Sequence, residues 1–164
     1  MNFRYKLTNF EWDTLALTPL WIFPTMALAD GKFDEKEKNA LFIISKNINK
    51  FNNTLLQEIF DYYNNNFDSI LSKFYEDNRN IKKGLKDVAD ILETKVPTDI
   101  ATNFKKIMIA IAYYIANASG DEFTGKVSPR ERKTLVELAN SLKFNILHFE
   151  EKPTLYDIIT LLEK

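Results

Sequence analysis

Six carboxylates stand at two places where an apolar run gives way to a turn: Asp30, Asp34 and Glu37 around the first, Asp121, Glu122 and Glu131 around the second. Several carboxylate oxygens converging on one point are what hard cations such as calcium and magnesium require, and zinc accepts carboxylates too. Cation binding is therefore the chemistry open to these residues. A structural employment competes with it. Asp34 and Glu37 have the spacing of a helix N-cap and its partner three residues on, Asp30-Gly31 is ordinary turn chemistry, and acids in a first helical turn gain from the helix dipole. Asp30 is the least explained by structure alone, because a negative charge at a helix C-terminus costs roughly 0.3–1 kcal/mol.

An EF-hand fails the spacing test at the first turn. With Gly31 at loop position six, Glu37 falls on position twelve, but the first and third positions become Met26 and Leu28, which cannot ligate. The second turn does better: Gly125 at six puts Glu131 at twelve, Glu122 at three and Thr124 at five, with Gly120 where the first ligand belongs. Weak calcium binding is the most this loop offers.

Other chemistries lack parts. The chain has no cysteine, hence no thiolate nucleophile and no Cys-ligated zinc, which suits a reducing, cytoplasmic compartment. His148 is the single histidine and has no second ligand four residues away. There is no glycine-rich phosphate loop or nucleophile elbow, so no enzyme is expected. Acids (23) and bases (22) nearly cancel, so no global field recruits nucleic acid or an anionic membrane. Arg79, Lys82, Lys83 and Lys86 form a basic stripe, read as a solvated face diluted by Asp87 and Asp90. The run from Leu15 to Ala29, roughly 15 residues with Pro19 and Pro24 inside, falls short of the ~20 needed to span a bilayer. It is core, neither a signal peptide nor an integral membrane anchor.

The elements that position the acids follow from periodicity. Met1 to Thr8 reads as a tail, and Asn9 as the cap of a short helix through Leu17. Thr18-Pro19 is a fresh helix start, and Pro19 to Ala29 is apolar nearly all round, the mark of a central helix, with a kink expected at Pro24. After the turn, Asp34 caps a helix with Leu41, Ile44, Ile48 and Phe51 inward. Two helices follow, carrying Leu56, Ile59, Phe60, Tyr63 and then Phe67, Ile70, Leu71, Phe74, with Asn64-Asn65-Asn66 as the break. Another carries Ile81, Leu85, Val88 and Leu92, and Pro97 stops it. Near Thr98 or Asp99 the pattern restarts. Ile107 to Ala116 is a second central helix, and Ser128-Pro129-Arg130-Glu131 opens a helix with Leu135, Leu138 and Leu142 inward. A constant offset maps Glu37, Leu41, Ile44 and Ile48 onto Glu131, Leu135, Leu138 and Leu142, and the two copies differ by an insertion, Asp121 to Gly125. Thr154 caps a closing helix with Leu155, Ile158, Ile159 and Leu162. The expectation is a single all-α domain of about seven or eight helices with two pseudo-twofold-related central helix pairs. Repeat 1 spans about 18–51, a helical insert 54–95, repeat 2 98–143, and the C-terminal helix 154–163.

The stretch Ala29-Asp30-Gly31-Lys32-Phe33-Asp34-Glu35-Lys36-Glu37, with its lead-in Pro19-Leu20-Trp21-Ile22-Phe23, resembles the TerB-like family of tellurite-resistance proteins. The likeness covers roughly Glu11 to Leu142. It implies an all-helical fold with an internal repeat, a non-enzymatic role in bacterial stress response, and surface acids that hold a divalent cation (calcium, magnesium or zinc). Against the family pattern, Ser119 stands opposite Asp30 and Ser128 opposite Asp34, so two equal metal sites are not expected. The alternative is a protein-interaction scaffold with no metal, in which the acids only cap helices. On either view a protein partner is expected.

Overall fold

A computed structural model describes residues 2–26, 39, 42–44, 46–119 and 129–145, with side chains described for 2–22, 39, 42–44, 46–112 and 133–145. These residues hold seven α-helices, one 3-10 helix and a further short helical stretch at 42–44, and no strand is found among them. The domain is all-α, as the periodicity requires.

The chain start departs from the expected tail. Phe3–Lys6 is a helical turn, α1, whose Phe3 is buried. The Phe3 N–H donates to both carboxylate oxygens of Glu58, at 2.8 and 3.1 Å, which ties the start of the chain to a distant helix. Helix α2, Asn9–Ala16, is capped by Thr8 and not by Asn9. The Glu11 N–H donates to Thr8 Oγ1 while the Thr8 N–H donates to Glu11 Oε1, a reciprocal box that satisfies two otherwise orphaned donors. Helix α3, Thr18–Met26, follows almost without interruption. Thr18 is not its cap: the N–H groups of Leu20 and Trp21 donate to the Leu17 carbonyl, and Thr18 Oγ1 is buried without a hydrogen-bond partner. Pro19 still falls in the first turn, where its missing N–H is harmless, and the helix runs on through Pro24.

Of the helix expected after the first turn, residues 42–44 are helical and lead through Asn47 into the 3-10 helix Ile48–Lys50. Ile44, Ile48 and Phe51 are buried, which is the inner face the spacing predicts, while Phe42 lies outside it, 58% exposed.

Helix α4, Thr54–Glu76, joins the two helices expected on either side of the asparagine triplet. The predicted break is a kink. Asn66 leaves helical geometry at φ −137°, ψ 25°, and its side-chain Nδ2 donates to the Tyr62 carbonyl, where a regular helix would place a backbone N–H. Asn65 likewise donates to Asp61. Asparagine competes with the backbone in this way more readily than most residues, and a helix bends where it does. The buried side is Leu55, Leu56, Ile59, Phe60, Tyr63 and Ile70.

Asn80 caps α5, Ile81–Lys95, which ends before Pro97 because the residue preceding a proline favours extended backbone; Val96 has φ −120° and ψ 137°. Helix α6, Thr98–Ser119, begins with the Pro97 carbonyl as its first acceptor, so neither Thr98 nor Asp99 stands in the cap position. Helix α7, Pro129–Ser141, starts at the expected proline. It closes with Lys143 in the left-handed region (φ 56°), the Phe144 N–H donating to Ala139 and the Lys143 N–H to Asn140. That is a Schellman stop with lysine where glycine is usual.

Packing follows the expected hierarchy. Among the described residues the most extensive helix pair is α3 with α6, the two apolar helices, and α3 also packs on α5 and α7. Every residue from Ile107 to Ala112 is buried, as is every residue from Leu15 to Ile22. A helix buried on all sides is a central one. Helices α2, α4, α5 and α7 form the surrounding layer, with α2 against α5 and α4, and α7 against α5 and α6. The first turn with the start of its following helix, the insertion Asp121 to Gly125, His148 and the closing helix 154–163 lie outside the described residues.

Candidate functional site

Of the six candidate ligands, Asp30, Asp34, Glu37, Asp121 and Glu122 lie outside the described residues. Glu131 is the third residue of α7, the position a capping partner takes, and its side chain is not among those described. No group of three or more His, Asp or Glu side chains suited to a metal ion occurs among the described residues.

The densest polar constellation that is described is one the sequence did not announce. Arg79 lies in the short link between α4 and α5. Its Nη2 sits 2.6 Å from Asp77 Oδ2 and its Nε 3.0 Å from Asp77 Oδ1, a two-pronged grip on one carboxylate. Nη1 donates to Asp87 Oδ2 at 3.1 Å and to the buried Thr14 Oγ1 at 3.2 Å. The guanidinium also lies over two aromatic rings, its carbon 5.1 Å from the Phe10 ring centre and 5.0 Å from that of Trp21. Lys83 Nζ completes the group 2.8 Å from Asp87 Oδ1. Arginine thus joins α2, α3 and α5 through contacts that a lysine ammonium could not reproduce in one plane.

The electrostatics of this cluster follow from that geometry. The hydrogen bonds from the Arg79 guanidinium hold the Asp77 carboxyl below its usual range, with burial opposing. For Asp87, burial pushes upward, and the hydrogen bonds from Lys83 and Arg79 outweigh it. Both are therefore carboxylates at neutral pH, and neither is a proton donor. Two cations and two anions cancel, so the cluster holds no uncompensated charge for an incoming ligand. It fastens helices together. The basic stripe needs correction here: Arg79 points inward with only 17% of its side chain exposed, Lys83 is engaged with Asp87, and Lys82 and Lys86 remain on the surface.

Two further polar features are described. Tyr63 is buried and its hydroxyl donates to the Ala16 carbonyl, joining α4 to the end of α2. Burial pushes that phenol well above its usual pKa, so it is a fixed donor. An open groove of about 530 Å³ runs between the first turn of α5 and the outer face of α7, with Ile81, Lys82, Glu137 and Leu138 among its walls. Trp12 and Trp21 are 3% and 2% exposed and form no open cage.

Parts of this pattern were readable. Asn80 stands three residues before the Lys83 amide it accepts from, an ordinary capping interval. The inward turn of Arg79 carried no local signal, because its partners Thr14, Phe10 and Trp21 are distant in sequence.

Fold and site together define a single-domain, all-helical protein in which the Arg79 cluster joins three helices. No family model matches the chain, and no solved structure matches it. The chain is 34% identical over 122 residues to Uncharacterized protein ORF11' of Methanothermobacter thermautotrophicus, covering 73% of this chain and 81% of that protein. It belongs to the same family as that archaeal protein. No described helix is long and apolar enough to cross a membrane.

Proposed function

We propose that this chain is a cytoplasmic, non-enzymatic module of the TerB-like kind, serving a stress response such as tellurite resistance. It acts by holding a divalent cation or a protein partner at its two acidic turns, with Asp30, Asp34, Glu37, Asp121, Glu122 and Glu131 as the ligand set. The observation that carries this reading is the packing of α3 on α6. Among the described residues, the two helices that lead into the acidic turns pack more extensively on each other than on any other helix, which supports a duplicated helix-turn-helix unit. The start of α7 at Pro129, with Glu131 in its first turn, adds the expected second-copy geometry.

Calorimetric titration of the full chain with calcium, magnesium, manganese and zinc tests the cation. Saturable heat is expected for one of them, reduced in Asp30→Ala and in Asp121→Ala. Silent titrations with all four would overturn cation binding.

A second reading, an interaction scaffold in which the acids only cap, is favoured by how this chain starts its helices. Thr8, Asn53 and Asn80 each accept a backbone N–H at a helix start, so at three helix starts a polar side chain is used as a cap. Under that reading Asp34→Ala and Ser128→Ala each cost about 1 kcal/mol of stability whether or not a cation is present.

A further inference from the structure

We draw no further inference here: the strongest candidate, the open groove between the first turn of α5 and the outer face of α7 that Ile81 and Leu138 help to line, is an unpartnered face, and nothing in the structure shows what covers it.

Discussion

Gly84 is a residue whose identity is dictated by one neighbour. A Cβ built there would lie 2.6 Å from Trp21 Cε2 and 2.7 Å from Cζ2, inside any tolerable contact with a buried ring. Alanine is the better helix former by ~1 kcal/mol, yet overpacking a filled core costs ~1–3 kcal/mol, so the clash is expected to dominate. Gly84→Ala should lower the thermal midpoint, and the loss should shrink in a Trp21→Phe background; an unchanged midpoint would dismiss the contact as unimportant. Lys143 poses the opposite problem. It occupies a left-handed position that glycine takes without strain, and its ammonium bridges Asp90 and Glu93 on α5 at 2.9 and 3.6 Å. The bridge is exposed and weak, so Lys143→Gly should raise the midpoint, and more so at high salt where the bridge is screened. A drop at low salt that shrinks as salt is added would show that the bridge matters more than the backbone.

At the level of elements, the two asparagine caps of α4 and α5 differ in consequence. Asn80 is exposed, and its side chain accepts from the Lys83 N–H. Asn53 is 2% exposed, accepts from the Leu56 N–H and donates its Nδ2 to the Ile100 carbonyl, so one side chain both starts α4 and fastens it to α6. Removing a cap costs about 1 kcal/mol, and because the Leu56 N–H that Asn53 accepts from is buried, stranding it adds ~1–3 kcal/mol. Asn53→Ala should therefore cost more than Asn80→Ala in urea denaturation, and equal losses would mean that the Ile100 bond contributes nothing. The helices themselves were legible in the sequence because three- and four-residue spacing marks their buried faces, and Pro97 and Pro129 mark boundaries. Errors fell at the ends. Thr8 and Asn9 are both competent caps, and only the Glu11 partnership, three residues from Thr8, separates them. The asparagine triplet reads as a break because nothing local distinguishes a gap from a bend that side-chain amides stabilise.

For the molecule as a whole, the Arg79 cluster predicts how the fold responds to acid. Asp77 and Asp87 have folded-state pKa values depressed below an unfolded value of about 3.9, so their contribution is fully present above that pH and is lost as the pH falls through the folded values. Asp77→Asn should be less stable than the parent chain at pH 6, and the gap should close as the pH drops below about 4; a pH-independent gap would remove the carboxylate from the account. The global plan, two apolar helices at the centre, was visible because burial on every side leaves no polar stripe. The cluster that clamps α2, α3 and α5 was not, since its members meet only after the chain has folded back on itself. The placement of the two indoles has a practical corollary. Trp12 lies edge-on to Tyr62, and Trp21 lies between Arg79 and the backbone of Gly84. With no other tryptophan in the chain, intrinsic fluorescence of the unlabelled protein reads out the junction of α2 and α3 with α4 and α5, and its red shift on denaturation is a built-in optical gauge of that junction.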